Sequence, residues 1–393
     1  MSRVAGTLLI VGLSCAAARG QVNLPEGFEI VEFADSDYFT GAPSMNNCGQ
    51  IMFDQQLGPD FADKEMFLYD NGSIKRLTDD NVSDRIPSMN EAGDAVWRRK
   101  VVRGSDTQLA LYTGGELSIF AENEKGIWSG SISNRGDIAW AEARRTRCPM
   151  QVDILLWDGR SVRTISDQKR FVSQIPDIND LGNVAWMHTD FCVNPWKGDI
   201  RLWSNGDTII LPSDRTQAHA PKINNLGQVV WNATGAIEMW QDGQTIELVE
   251  GIASVPNLNN LGDVYFALWD RGKNVWQPWL YRVSGGGDPV FHRLVDDKVH
   301  NGRASVNDWG EVVWTWDRKS GPSGGLRLMR RIRTGDSEFD GAIDLIDYAT
   351  FVDCMTGPDQ VDRLCDCRFL DIDYDGDVDL GDFAMFQNAF EGR

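Results

Sequence analysis

The chain repeats one short element seven times between residues 43 and 334, and this periodicity restricts the fold more than any other feature. In each copy, Asn or Ser stands three residues before Gly, which specifies a type I turn whose Gly supplies the bulge of a three-residue hairpin. Successive glycines are 44, 43, 46, 45, 35 and 48 residues apart. The copies lie at 43–49, 87–93, 131–136, 176–182, 221–227, 256–262 and 305–310.

Each turn leads into a strand that has an aromatic residue four positions after the glycine. These residues are Phe53, Trp97, Trp140, Trp186, Trp231, Phe266 and Trp314. A second element follows, in which an apolar and an aromatic residue precede an Asp-Gly or similar turn, as in Leu156-Trp157-Asp158-Gly159. Alternating apolar residues around such a dipeptide are the strongest local hairpin signal. Each repeat therefore predicts four short strands, which is the content of a β-propeller blade.

The strand count at the two ends of the chain indicates how the ring closes. Six repeats finish with a fourth strand, such as 73–77 or 245–248, whereas the seventh stops at its third strand, 326–330. A strand at 28–33 can supply the missing one and remove the open edges. We therefore predict an all-β, seven-bladed β-propeller over residues 21–334, closed by the N-terminal strand, followed by a small α-helical module at 335–393.

Two acidic loops near the C-terminus have the ligand order of an EF-hand calcium loop. Acidic side chains occupy loop positions 1, 3, 5, 9 and 12, glycine occupies position 6, and position 7 offers its backbone carbonyl. In the second loop, these ligand residues are Asp371, Asp373, Asp375, Asp377, Asp379 and Asp382. In the first, they are Asp336, Glu338, Asp340, Ala342, Asp344 and Asp347. The sequence thus predicts two Ca²⁺ sites.

The pair of loops resembles the dockerin module of bacterial exported proteins over about residues 335–393. Asp stands at position 12 in both loops, and a helix-like run with one apolar face follows each loop, at 348–354 and 383–390. The resemblance implies calcium binding and docking to a cohesin-like or cell-surface protein. Positions 10 and 11 hold Leu345-Ile346 and Leu380-Gly381, without the Ser or Thr expected for cohesin recognition. The propeller repeats are similar to short repeats of exported bacterial proteins.

Residues 1–20 have the pattern of a secretory signal, with cleavage expected after Gly20 or, alternatively, after Ala18. No later apolar run approaches the roughly 18 residues of a membrane span. We therefore expect an exported protein that is soluble or is held outside the cell by a partner. The net charge is −20, and residues 335–393 hold 16 acidic against 3 basic residues. This balance argues against nucleic-acid binding.

Six cysteines follow the predicted signal, and export makes disulfides plausible. Cys148 and Cys192 lie in corresponding connections of neighbouring repeats, so we predict a bridge between them. Cys354 is expected to pair with Cys365 or Cys367, and Cys48 has no evident partner. Free buried thiols are the alternative, because repeat register alone does not fix Cα separations.

Most of the 15 tryptophans are repeat-equivalent and are expected in the core. Trp196, Trp276 and Trp279 lie outside the repeat pattern and are candidates for a binding surface, such as one for glycans. The repeated turn asparagines could line one channel mouth, although turn chemistry explains them. No catalytic motif or zinc-ligand spacing is present, and a catalytic carboxylate pair cannot be assigned without distances.

These features favour an exported, non-catalytic binding or scaffolding protein with the propeller as recognition surface. The alternatives are a polysaccharide-active enzyme, either a glycoside hydrolase or a lyase, that carries a dockerin, and a structural cell-surface protein. Fold alone does not choose among them.

Overall fold

The computed structural model describes residues 22–59, 64–80, 82–101, 107–166, 171–193, 198–283, 288–318, 323–355 and 367–390. The predicted signal at 1–20 lies outside these ranges, as do Trp196 and Cys365. Neither described helix has the length and apolar character needed to span a bilayer.

Short strands alternate with the repeated turns along most of the chain. The first nine are β1 Phe28–Ser36, β2 Ser44–Met45, β3 Ile51–Gln56, β4 Lys64–Asp70, β5 Ser73–Arg76, β6 Val82–Met89, β7 Ala95–Val101, β8 Thr107–Thr113 and β9 Glu116–Asn123. The next eight are β10 Ile127–Ile132, β11 Ile138–Arg145, β12 Gln151–Trp157, β13 Val162–Thr164, β14 Val172–Ile178, β15 Val184–Thr189, β16 Gly198–Ser204 and β17 Asp207–Leu211.

The remaining strands are β18 Ala218–Ile223, β19 Val229–Ala233, β20 Ala236–Gln241, β21 Gln244–Glu250, β22 Asn257–Leu258, β23 Val264–Asp270, β24 Val275–Arg282, β25 Val290–Arg293, β26 His300–Val306, β27 Val312–Asp317 and β28 Gly324–Arg331. Helices α1 Leu345–Cys354 and α2 Leu380–Ala389 follow, with a 3₁₀ turn at Cys367–Phe369 between them. The protein is therefore an all-β propeller with two short helices at its C-terminal end.

The prediction of seven separate blades is wrong. The described strands form five four-stranded blades, made of β2–β5, β6–β9, β18–β21, β22–β25 and β26–β28 with β1. The strands from β10 to β17 form one eight-stranded sheet. They are joined because β12 and β14 pair in parallel at Val152 and Val172, supported by the hydrogen bond from Val152 N to Phe171 O at 3.1 Å. A single bridge of this kind cannot be predicted from the repeat pattern.

Strand β1 pairs antiparallel with β28, from Phe28 opposite Arg331 to Phe33 opposite Leu326. The first described strand therefore belongs to the same sheet as the last strand, which is the pairing expected from the strand count. Phe33 also packs its ring against Tyr69 in the neighbouring sheet, at a centroid distance of 4.6 Å. The N-terminal strand thus contributes to the contact between two sheets as well as to its own sheet.

The repeated aromatic residues form the core between sheets, as predicted. All seven residues at the position four after the turn glycine are at most 2 % exposed. Four of the five tryptophans among them donate their indole N–H to a buried side chain; Trp97 Nε1 donates to Asp84 at 2.8 Å, and Trp314 Nε1 donates to Asn301 at 2.9 Å. Such pairing is what a buried indole requires. Trp186 Nε1 has no acceptor among the described residues.

Two disulfides agree with the sequence expectations. Cys148 bonds to Cys192 across two repeats, and Cys354 bonds to Cys367, which decides between the two partners considered for Cys354. The expectation that Cys48 lacks a partner is wrong, because Cys48 is also disulfide-bonded. Its place inside a turn concealed this, since sequence spacing does not show which distant segment approaches a turn.

Candidate functional site

The second acidic loop folds into a compact cluster of carboxylates. One carboxylate oxygen from each of Asp371, Asp373, Asp375 and Asp382 lies within 4.8 Å of the others. A second group joins Asp377 and Asp379 to Asp382. Asp382 is fully buried, and its oxygens accept hydrogen bonds from the backbone N–H groups of Ile372, Asp373 and Asp379. This capping network fixes the loop against the start of α2.

Position 6 of the second loop requires a glycine. Gly376 has φ = +105°, a conformation that a side chain disfavours. Val378 at position 8 is fully buried in a small core with Phe351, Leu370 and Phe386. The loop is therefore held by its own hydrophobic core as well as by the capping bonds.

Asp371 is the most buried of the position 1 to 5 carboxylates, with 1 % of the residue exposed. Its Oδ2 accepts a hydrogen bond from Arg333 Nη1 at 2.6 Å, whereas its Oδ1 is buried and has no hydrogen-bond partner among the described residues. Burial raises the pKa of Asp371, and the Arg333 guanidinium opposes that shift. The unused oxygen lies on the residue that an EF-hand loop uses as its first ligand.

The first acidic loop is arranged more openly. Asp347 caps the start of α1, accepting hydrogen bonds from the backbone N–H groups of Ser337 and Asp344. Asp336 accepts from the N–H groups of Asp340 and Gly341. Within the described residues, its carboxylates do not gather into a group as close as that of the second loop. Ala342, at position 7, contributes only its backbone.

The C-terminal segment packs against the propeller through an aromatic and arginine-rich contact. Trp309, in the last repeated turn, packs against Phe339 and Phe369, with ring centroids 5.7 and 5.0 Å away. Arg368 Nη2 donates to the buried Glu311 at 2.6 Å. Although burial opposes it, the Arg368 guanidinium holds the pKa of Glu311 below its ordinary value. This ion pair joins the 3₁₀ turn to the propeller.

A second contact joins the propeller directly to the second loop. Arg333 and Arg330 place their guanidinium groups over the ring of Tyr374, 4.3 and 4.1 Å from its centroid. Asn71, in the hairpin between β4 and β5, approaches Asp371 Oδ2 at 3.5 Å and Arg333 at 3.4 Å. Sequence reasoning missed Arg330, Arg333 and Asn71, because they lie outside both loop motifs.

The seven repeated turns meet in a closed ring at one channel mouth. In each turn, the residue after the Asn or Ser donates its backbone N–H to a side-chain oxygen of its counterpart in the next turn, at 2.6 to 2.8 Å. We call these residues the mouth ring: Asn47, Glu91, Asn134, Asp180, Asn225, Asn260 and Asp308. The ring borders a cavity of about 140 Å³.

The repeated turn asparagines lie beneath the mouth ring and are nearly fully buried. In a typical turn, Asn179 Oδ1 accepts from the N–H groups of Leu181 and Asn183, and its Nδ2 donates to the carbonyl of Asn224 in the next turn. These side chains therefore serve both their own turn and the contact with the next one. Their polar groups are satisfied by the protein.

Glu91 is the member of the mouth ring whose pKa is raised. Burial raises its pKa to about 7, and the charges of Asp308 and Asp180 add to the shift, against the hydrogen bond from Asn47 N. The other six turns have Asn or Asp at this position, so Glu91 is the one Glu of the ring. The repeat pattern does not indicate that its pKa is raised.

Of the three tryptophans considered for a binding surface, the structure describes Trp276 and Trp279, and these two differ in exposure. Trp279 is 8 % exposed and packs in the core between sheets. Trp276 is half-buried and meets Trp269 edge to face at 5.1 Å, and Trp269 stacks on His300 at 5.8 Å. Of the residues considered for a binding surface, Trp276 alone among the described ones is partly open to solvent.

No protein-family model matches the chain, and no curated protein matches it either. Solved structures do resemble it. A catalytically inactive virginiamycin B lyase from Staphylococcus aureus, with quinupristin, has a TM-score of 0.54 and 12 % identity, covering 77 % of this chain and 100 % of that one. The β-propeller domain of the Trilobed protease from Pyrococcus furiosus has a TM-score of 0.55 and 8 % identity, covering 74 % and 95 %.

The acylaminoacyl peptidase of Pyrococcus horikoshii is similar at a TM-score of 0.54 and 13 % identity, covering 75 % of this chain. The match spans 52 % of that protein. At such low identities these likenesses establish the propeller fold alone, and they transfer no activity.

Proposed function

We propose that the chain is an exported, non-catalytic binding or scaffolding protein. In this proposal the propeller is the recognition surface, and residues 335–393 are a calcium-stabilised, dockerin-like module for anchoring or docking. The observation that carries it is Asp371, whose buried Oδ1 lacks a hydrogen-bond partner among the described residues beside three other carboxylates. A buried carboxylate oxygen that lies close to other carboxylates requires a cation or a proton, and an all-oxygen ligand set suits Ca²⁺.

Calcium in the second loop would be held by Asp371, Asp373, Asp375 and Asp382, with Asp377 and Asp379 completing the loop. Of the two carboxylate oxygens of Asp371, Arg333 bonds Oδ2, so the docking contact and an ion at Oδ1 are compatible. The ion would neutralise carboxylates that otherwise repel one another, which links its binding to the folding of the module.

The hydrogen bonds of the mouth ring support a non-catalytic role for the channel mouth. One side-chain oxygen of each member already accepts a backbone N–H from the neighbouring turn, so these oxygens are used within the ring. The next residue of three adjacent turns is apolar and open: Leu181, Leu226 and Leu261 are 62, 65 and 57 % exposed. Trp309 takes the same place in the following turn, where the C-terminal segment covers it. The open turns therefore remain accessible to a partner.

Calorimetry on residues 21–393 tests the calcium part of the proposal. Stripped protein should take up Ca²⁺, and Asp371→Ala combined with Asp375→Ala should remove one equivalent. Asp353→Ala is the matched control, because Asp353 is an exposed carboxylate on α1 outside both loops. Equal uptake by the double variant and the control would refute a site in the second loop.

A glycan array combined with a reducing-sugar release assay tests whether the propeller binds glycans without cleaving them. Binding of a glycan without release supports recognition by the propeller. Release of reducing ends from the same glycan favours the alternative, a polysaccharide-active enzyme. A pull-down with cell-surface fractions, compared between intact protein and the Asp371→Ala with Asp375→Ala variant, asks whether docking depends on the second loop.

A further inference from the structure

A third group of carboxylates lies far from the acidic loops, at the junction between the blades β2–β5 and β6–β9. Oxygens of Glu65, Asp80 and Asp84 lie within 4.8 Å of one another. Glu65 is on β4, Asp84 is on β6, and Asp80 lies in the connection between the two blades. No motif in the sequence marks this group, because its members come from three separate segments.

Two of these carboxylates are fully buried, and each has an unused oxygen. Glu65 is 1 % exposed and Asp84 is 0 % exposed. Among the described residues, Glu65 Oε2 and Asp84 Oδ2 have no hydrogen-bond partner. Native proteins rarely leave buried carboxylate oxygens unpaired, so such atoms call for a proton or a cation.

The existing partners account for the other oxygens of the group. Glu65 Oε1 accepts from the backbone N–H of Asp80 at 3.2 Å and faces Arg76 Nη2 at 3.3 Å. Asp84 Oδ1 accepts from Trp97 Nε1 at 2.8 Å and faces Arg99 Nε at 2.9 Å. Arg99 also pairs with Asp80, and Arg76 also pairs with Asp79. Neither arginine donates a hydrogen bond to the two unused oxygens.

Packing alone does not require a charge at position 84. The corresponding residue of the last repeat, nine positions before its turn glycine, is Asn301, and it accepts the indole N–H of Trp314 just as Asp84 accepts that of Trp97. A neutral amide therefore satisfies the buried indole. The acid at position 84 adds a negative charge that pairs with Arg99 and lies close to a second buried acid.

We infer that Glu65, Asp80 and Asp84 bind a divalent cation, Ca²⁺, between the first two blades of the chain. The ligand set is all oxygen and contains no His or Cys, which suits a hard cation. Glu65 Oε2 and Asp84 Oδ2 are the inner ligands. The side chain of Asp80 is 45 % exposed and supplies the outer ligand on the path from solvent. The Thr78 hydroxyl, which accepts a hydrogen bond from Met66 N at 2.9 Å, lies beside both inner carboxylates and completes the polar lining.

The ion stabilises the blade junction because it joins a residue of one blade to a residue of the next. Burial raises the pKa values of Glu65 and of Asp84, the latter to about 7, although Arg76 and Arg99 oppose the shifts. A bound cation would favour both charged forms further. The site is independent of the two acidic loops, since no residue is shared.

Native mass spectrometry on residues 21–393, stripped with chelator and then titrated with CaCl₂, tests the inference. The Asp84→Asn variant should bind one Ca²⁺ fewer than the unmodified chain, and Glu65→Gln should show the same loss. Asn301 shows that an amide is tolerated at this place in the fold, so Asp84→Asn is expected to fold. Asp263→Asn is the control, because Asp263 is equally buried and lies beside Arg282 outside the group.

If the unmodified chain and both variants, Asp84→Asn and Glu65→Gln, bind the same number of Ca²⁺ ions, the site is overturned. A proton shared between the two carboxylates then explains why their oxygens are unpaired. In that case, both variants should instead raise the propeller melting temperature at pH 8 with no dependence on Ca²⁺. Loss of an ion in the Asp263→Asn control would also contradict the assignment. The result is separate from that of the second loop, whose variants change other residues.

Discussion

Arg333 Nη1 lies 2.6 Å from Asp371 Oδ2, and this ion pair connects the end of the propeller to the first ligand position of the second acidic loop. Both side chains are largely buried, at 11 and 2 % exposure. The same Asp371 therefore belongs to the docking contact and to the candidate calcium site. The calcium binding proposed for the loop and the attachment of the module to the propeller therefore share one carboxylate.

Arg333→Ala should destabilise the calcium-free protein more than the calcium-loaded protein. Removing one partner of a buried ion pair typically costs about 3–5 kcal/mol, because the other charge is left uncompensated. Bound Ca²⁺ would supply the missing positive charge next to Asp371 and reduce that loss. Chemical denaturation followed by circular dichroism, in chelator and in saturating Ca²⁺, measures both values.

Arg330→Ala is the matched control for this comparison. Arg330 stacks on the same Tyr374 ring but pairs with Glu29, which is 39 % exposed, so its loss should be small and should not depend on Ca²⁺. Identical losses for Arg333→Ala in chelator and in Ca²⁺ would contradict the linkage.

Glu91 gives the mouth ring a dependence on pH. Because the folded-state pKa of Glu91 is raised from 4.5 to about 7, the stability contributed by its protonated form is complete below the ordinary value and is lost as the pH rises through about 7. Glu91→Gln mimics the protonated form. The variant should therefore gain stability relative to the unmodified chain between pH 5 and pH 8, by at most about 3 kcal/mol.

All 15 tryptophans precede residue 335, so the main fluorescence transition follows the unfolding of the propeller, while Trp309 also reports its contact with the C-terminal segment. The groups whose charges act on Glu91 are Asp308, Asp180 and Arg368. Glu116→Gln, an exposed change on β9, is the control. A stability difference between Glu91→Gln and the unmodified chain that is constant from pH 5 to pH 8 would rule out this role of Glu91.

The features that could be predicted from the sequence are those encoded locally. The repeated turns, the buried aromatic position after each glycine and the helices after the acidic loops depend on residues within one short segment. The bridge between β12 and β14 could not be predicted, since it depends on how two strands approach at Val152 and Val172. The same applies to the candidate sites. The loop carboxylates follow a spacing, whereas Arg333, Asn71 and the Glu65 group meet only through packing.

Deleting residues 22–36 should open the last blade. Strand β1 covers one edge of β28, and Phe33 packs against Tyr69 of the neighbouring blade. The deletion exposes the backbone hydrogen-bonding groups of β28, so we expect aggregation and a lower melting temperature of the propeller. Size-exclusion chromatography with light scattering measures the aggregation, and tryptophan fluorescence measures the melting temperature.

A synthetic peptide of residues 22–36, added to the deleted protein, serves as the control. If strand pairing is the cause, the peptide should restore the monomer and raise the melting temperature. A deleted protein that stays monomeric with an unchanged melting temperature would show that β1 contributes nothing to closure.

The two described disulfides should stabilise different parts of the chain. Cys148 and Cys192 are 44 residues apart, and loop-closure entropy predicts a loss of about 4 kcal/mol when both become Ser. Cys354 and Cys367 are 13 residues apart and lie in the core of the C-terminal module, so the loss should be about 3 kcal/mol and confined to that module. The Cys148→Ser with Cys192→Ser variant should therefore show a less stable propeller by tryptophan fluorescence. The Cys354→Ser with Cys367→Ser variant should keep the same main fluorescence transition and bind Ca²⁺ more weakly. A propeller transition that is insensitive to loss of the first bridge would show that the connections it joins are already fixed by strand pairing.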